Sequence, residues 1–168
     1  MSEDGLQRKQ LYLVVDTNVW VDYFLGFRPR SAEARSFMEA ARLAGAQILY
    51  PIGILQDVFA ILMVELKRSV QADSVISESD IHAFRHLAWG CVDAMREIAC
   101  SVGADESDAW LACKYRTVNW DLEDNMVIAA AKRIQADYLV TSDKELIAKA
   151  PIAALTPADM CEVLKGAA

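Results

Sequence analysis

The stretch "LYLVVDTNVWVDYFLG", residues 11–26, sets the reading of the whole chain. Five apolar residues run straight into Asp16, a poor strand residue whose charge is costly beside buried surface unless something compensates it. Thr17 and Asn18 follow, and the chain turns apolar again at Val19, Trp20 and Val21. The pattern reads as a buried strand over about 11–15 that presents a carboxylate at its end and enters a helix near 18–25.

Two further strand readings lie outward from this one, "AQILY" at 46–50 and "DYLVTS" at 137–142. Between them the pattern is helical. "SAEARSFMEAARLAG" opens at Ser31 as a cap and stops at Gly45. "PIGILQDVFAILMVELKR" is apolar nearly all round until Glu65, which predicts a deeply buried helix. In "SESDIHAFRHLAWGCVDAMREIACSVG" the apolar positions Ile81, Phe84, Leu87, Cys91, Met95, Ile98 and Val102 recur at three and four, a long amphipathic helix. A shorter helix covers about 106–115, and "DNMVIAAAKRIQ" starts another at Asp124. "TPADMCEVLKG" has Thr156 as cap, Pro157 at the first helical position and Asp159 three residues after the cap. Strands alternating with helices predict an α/β fold with a parallel sheet covered on both faces and right-handed crossovers.

The chain has 168 residues, 54% of them hydrophobic and 24% charged, enough for one globular domain with a sizeable core. No segment reaches the roughly 18 apolar residues that span a membrane, and the start "MSEDGLQRKQ" lacks a secretory apolar region. These features place the protein in the cytoplasm, where Cys91, Cys100, Cys113 and Cys161 read as free thiols. A net charge of −7 argues against nucleic-acid binding through a broad basic surface. It leaves room for an acidic site whose cations hold phosphates.

Four acids sit where local structure does not favour them. Asp16 and Asp143 follow strands, at the carboxyl edge where parallel sheets place their ligand sites. Asp124 opens a helix. Asp57 lies among Leu55, Val58, Phe59 and Ile61, where an unpaired charge is expensive. Each has a plainer reading: Asp16 as a turn residue, Asp124 and Asp143 as caps, Asp57 paired with Arg35 or Arg42. One arrangement accounts for all four, a shared acidic pocket for divalent cations, with oxygen ligands suited to Mg2+ or Mn2+. Without metal such carboxylates raise one another's pKa values.

On these motifs the sequence resembles the PIN-domain ribonucleases, of the VapC toxin type. "LYLVVDTNVWVDYF" is similar to the family's opening strand with Asp-x-Asn, and "YPIGILQDVFAIL" to its second acidic motif. "DLEDNMVIAAAKRIQADYLVTSDKELI" is similar to its closing signature. The resemblance implies a PIN-like fold of four to five parallel strands with helices on both faces. It also implies metal-dependent hydrolysis of RNA phosphodiesters by the toxin of a toxin–antitoxin pair. Carried over by position, Asp16, Asp57, Asp124 and Asp143 match the acidic quartet, with Asp121 as rival for the third place. Asn18 matches the asparagine after the first acid, and Thr141 or Ser142 a supporting hydroxyl. The implied partners are an RNA substrate, an antitoxin protein and a second copy in a homodimer, with no membrane. The second acid departs from the family's usual glutamate, being Asp57. The segment at about 69–117 exceeds what a minimal toxin needs, and reads as a helical elaboration of a single domain over 1–168. A catalytically silent PIN-like binding module is the alternative.

Other signals are weaker. His82 and His86 lie four apart on one helix face without a zinc motif around them. No G-x-S-x-G and no Walker loop occur. Asn18 stands where an aspartyl-nucleophile phosphatase needs a second Asp. Trp20, Trp89, Trp110 and Trp120 read as core or interface before base-stacking platforms. Arg28, Arg30 and Arg35 are the nearest approach to a basic patch, read first as a solvated loop.

Overall fold

The protein is described by a computed structural model that covers residues 9–70 and 75–167. The polar start of the chain and residues 71–74 of the 69–117 segment lie outside the described residues. Five strands, β1 (Tyr12–Val15), β2 (Gln47–Pro51), β3 (Cys100–Val102), β4 (Tyr138–Val140) and β5 (Ala154–Leu155), form one sheet in the order β3-β2-β1-β4-β5. Every pairing is parallel; Val14 of the central strand stands opposite Leu49 on one side and Leu139 on the other. Leu13, Val14 and Val15 are fully buried, as expected of a central strand covered on both faces.

The connecting helices are α1 (Thr17–Phe24), α2 (Ser31–Leu43), α3 (Ile54–Val70), α4 (Glu78–Ile98), α5 (Glu106–Lys114), α6 (Leu122–Arg133), α7 (Lys144–Lys149) and α8 (Pro157–Ala167). They pack in two groups, α2 against α1 and α8 with α3 against α1 and α4, and α5 against α6. Trp20 is fully buried and meets Tyr23, Phe24 and Tyr50 at ring separations of 6.1–6.3 Å. Buried Asp108 of α5 takes a forked ion pair from Arg133 of α6 (2.7 and 3.0 Å), and Arg133 also donates to Gly103 O. A buried carboxylate is tolerable only with such full pairing.

Several boundaries and faces differ from the sequence reading. Ser31 is not the cap of α2: it lies inside the first turn and its hydroxyl donates to Gly26 O (3.3 Å), while Arg30 takes the cap position. Gly45 does end that segment, at φ 66°, with its N–H on Arg42 O. Helix α3 is not deeply buried all round. Only Ile54, Val58 and Leu62 are covered, a single i, i+4 stripe, and Val64 stays 45% exposed. Helix α4 buries Phe84, Ala88, Val92 and Met95 instead of the stripe through Leu87 and Ile98, and Val102 belongs to β3. The capping box of Ser77 and Asp80 sets where α4 begins. Helix α6 starts at Leu122 with Asp121 as its cap, so Asp124 lies in the first turn and does not open the helix. Thr156 and Asp159 cap α8 as read. His82 and His86 are exposed on α4 with ring centroids 4.6 Å apart. The described cysteines are free thiols. No helix of the described residues is long and apolar enough to cross a membrane.

Candidate active site

At the carboxyl edge of the sheet, Asp16 follows β1 and its N–H still pairs with Val140 O of β4 (3.0 Å). Its side chain is buried, at 2% exposure. Oδ1 accepts from the Thr17 N–H (2.7 Å) and so caps α1; Oδ2 accepts from Asn18 Nδ2 (2.6 Å) and from the Thr141 hydroxyl (2.6 Å). Asn18 Oδ1 accepts from the Ser142 N–H (2.9 Å), and Thr141 Oγ1 accepts from the Asp143 N–H (3.1 Å). These bonds lock the β1–α1 turn to the β4–α7 turn. Asp143 caps α7 through Oδ1 alone, accepting from the N–H groups of Glu145 (2.7 Å) and Leu146 (3.1 Å). Its Oδ2 has no donor among the described residues.

The start of α6 brings three more acids. Asp121 Oδ1 accepts from the N–H groups of Glu123 (2.8 Å) and Asp124 (3.4 Å). Asp124 Oδ2 accepts from Asn119 Nδ2 (2.6 Å). Glu123 Oε1 accepts from the Thr17 hydroxyl (2.8 Å), which ties α6 to the first turn of α1. Asp57, in the first turn of α3, is half-buried and not enclosed by apolar side chains as its neighbours in sequence suggested. Neither Arg35 nor Arg42 pairs with it, since Arg35 donates to Tyr23 O and Arg42 to Glu39. Asp57 and Glu123 both line an apolar recess of about 270 Å3 with Ile54, Val102, Leu122 and Met126.

No lysine, arginine or histidine forms an ion pair with any of these six acids among the described residues. The consequence is electrostatic. Burial, then the charges of Asp16, Asp121 and Asp143, push Asp124 up to about 7, against the opposing pull of Asn119. Burial raises Asp16 despite its three donors, with Asp143 adding to the rise. Burial and then Asp121 raise Asp57. Glu123 is raised by burial and by Asp57, Asp16 and Asp121, with the Thr17 bond opposing. Asp16, Asp124 and Asp143 therefore act on one another directly, whereas Asp57 joins through Asp121 and Glu123.

Crowded carboxylates with no cation among them are the donor chemistry of a hard divalent ion. In this conformation no three acidic, histidine or cysteine side chains of the described residues close into a coordination set. The donors fit such an ion in charge and type, and their side chains have to turn inward to enclose it. Of the residues singled out in sequence, Asp16, Asp124 and Asp143 come together with Asn18 and Thr141 beneath them. Thr141, not Ser142, supplies the hydroxyl to Asp16. Asp57 stands on the flank and Asp121 serves as cap. Glu123 was missed. Three acids within "DLED" at a helix start were its signal, because one cap needs only one of them.

The family model for the PIN domain matches residues 12–145. Among solved structures the chain is similar to Mycobacterium tuberculosis VapC20, a sarcin-ricin loop cleaving toxin, with a TM-score of 0.60 and 11% identity over 84% of this chain and 97% of that one. It is also similar to VapBC2 from Rickettsia felis, solved bound to a DNA fragment from its promoter, with a TM-score of 0.56 and 13% identity over 87% of this chain and 98% of that one. At such identities the likeness is one of fold. Comparison with curated proteins gives no significant match.

Proposed function

The chain belongs to the PIN-domain family, and from that membership we propose that it is a Mg2+- or Mn2+-dependent endoribonuclease, the toxin of a cytoplasmic toxin–antitoxin pair. The observation that carries this reading is the acidic group at the carboxyl edge with no cation paired to it, where burial and then the charges of Asp16, Asp121 and Asp143 push Asp124 up to about 7. Asp16, Asp124 and Asp143 are the proposed ligands, with Asp57 completing the group and Glu123 its competitor for the fourth place. Bound there, a divalent ion supplies Lewis-acid charge and lowers the pKa of an attacking water.

The chain's own contribution is positioning. Thr141 and Asn18 both donate to Oδ2 of Asp16, and the Thr17 N–H donates to Oδ1, which anchors this carboxylate at the sheet edge. Asn119 does the same for Asp124. The site offers no side-chain nucleophile of its own, so no covalent intermediate is assigned to it. The antitoxin and a second copy of the chain are the proposed protein partners. The 69–117 segment, which carries exposed Leu87, Trp89 and Trp110, is proposed as an elaboration of the single domain that meets them.

A catalytically silent module is the second reading, favoured by the open carboxylate arrangement. Incubating a mixed single-stranded RNA pool with the protein and Mn2+, with and without EDTA, separates the two. The nuclease reading expects product only in Mn2+. No product in either condition, or product that persists in EDTA, overturns it.

A further inference from the structure

Beside the acidic group lies a second recess of about 350 Å3, between the loop before α2 and the β4–α7 turn, with Asn18, Arg30, Ser142 and Asp143 among its walls. Two of its polar groups are not fully used by the fold. The Ser142 side chain is only 8% exposed, yet its hydroxyl has no hydrogen-bond partner. A buried hydroxyl left unpaired is unfavourable, and such groups call for an explanation. Arg30 is exposed and places Nη1 on Ser142 O (2.7 Å); no carboxylate of the described residues pairs with it and its remaining N–H groups have no partner there. Neighbouring Arg28 is the opposite case. Its charge is taken up by buried Asp22 (2.5 Å) and by Glu65 (3.2 Å).

The backbone of each residue is held in place. The Arg30 carbonyl accepts from the Ala34 N–H (3.0 Å), and the Ser142 N–H is fixed on Asn18 (2.9 Å). A guanidinium with unpartnered N–H groups and a buried orphan hydroxyl, both on residues that line one recess beside Asp143, are complementary to a phosphate. The need is plain in a chain of net charge −7 whose site is acidic, since both repel an RNA backbone. We propose that Arg30 and Ser142 together seat a non-scissile phosphate of the RNA, next to the one held at the carboxylates. This rests on the nuclease reading for the identity of the ligand. Thr141 and Ser142 then divide the work, one hydroxyl orienting Asp16 and the other meeting substrate.

The test compares wild type with Arg30→Gln, Arg30→Lys and Ser142→Ala. Cleavage of a single-stranded RNA in Mn2+ gives KM and kcat, and binding of the same RNA in EDTA is followed across salt concentrations. Arg30→Gln is expected to raise KM about tenfold with kcat within about twofold, as for a lost charged contact away from the reacting atoms. It should also flatten the log–log salt dependence of binding by about 0.7, one phosphate contact on a single strand. Arg30→Lys restores the salt dependence and part of the affinity. Ser142→Ala raises KM a few-fold without lowering Tm, because the hydroxyl has no protein partner to lose. An Arg30→Gln protein with unchanged KM and salt dependence overturns the proposal, as does an effect confined to kcat or Tm. If wild type cleaves nothing in Mn2+, the nuclease reading fails by itself. The EDTA binding series then decides the seat alone, and equal slopes or no binding refute it.

Discussion

Replacing Asp16 by Asn is expected to reduce metal-dependent RNA cleavage by about a thousandfold or more, the scale at which a metal site's main electrostatic group is lost. Asn keeps the shape but removes the charge. It also changes the pattern of donors. Every partner of Asp16 is a donor, so the amide nitrogen meets either the Thr17 N–H at one oxygen's position or the Asn18 nitrogen at the other's as donor against donor. The Thr141 hydroxyl can rotate to accept, whereas Asn18 is held by the Ser142 N–H. That mismatch costs about 1–3 kcal/mol. It is opposed by removal of a buried charge whose own pKa is raised by burial. The variant should therefore stay folded with a small change in Tm, and circular dichroism together with single-turnover cleavage rates separates lost chemistry from lost fold. A rate within tenfold of wild type would remove Asp16 from the proposed ligand set.

The second large effect is on pH. Asp124 titrates near 7 in the metal-free protein, and an ion competes with its proton. Mn2+ affinity should therefore fall by about tenfold per unit below pH 7, and Asp124→Asn should flatten that slope and remove most of the affinity. The stability of the metal-free protein moves the other way. The folded pKa lies above the ordinary value of 3.8, so the contribution is fully present below pH 3.8 and is lost as pH rises toward about 7. Asp16, Asp57 and Glu123 are raised as well and act in the same sense. Because Asp124 is half-buried, solvent screens part of the effect. Thermal unfolding in EDTA should give a Tm that declines between pH 4 and pH 7, less steeply in Asp124→Asn. A wild-type Tm that climbs over this range contradicts the crowding of charge described above.

How much of this was legible in sequence follows from what each residue's neighbours are. β1, β2 and β4 announce themselves as short apolar runs closed by a turn, and Asp16 and Asp143 are readable because they follow those runs. β3 was hidden: at three residues, Cys100–Val102, it continues the apolar spacing of α4, and only the sheet edge decides where helix stops. The face of α4 was misjudged because Ala88 is small enough to meet another helix, while Leu87, one position away, is left 57% exposed. Asp57 looked buried because periodicity reports composition, not coverage, and the residues around it are covered on one stripe only. Glu123 depends on a bond to Thr17, 106 residues away, and the Asp108–Arg133 pair on the contact of α5 with α6. Neither is a local property of the chain. The Ser142 hydroxyl is the reverse case. Sequence offers it and Thr141 as equals, and only the hydrogen bonds assign Thr141 to Asp16.

The most direct test of the whole account is a crystal structure of the protein soaked in Mn2+, read by anomalous scattering. The expected result is a peak bounded by the carboxylates of Asp16, Asp124 and Asp143, with those side chains turned toward it. A structure in which Mn2+ binds elsewhere, while these three carboxylates keep their present hydrogen bonds around an empty centre, would contradict it.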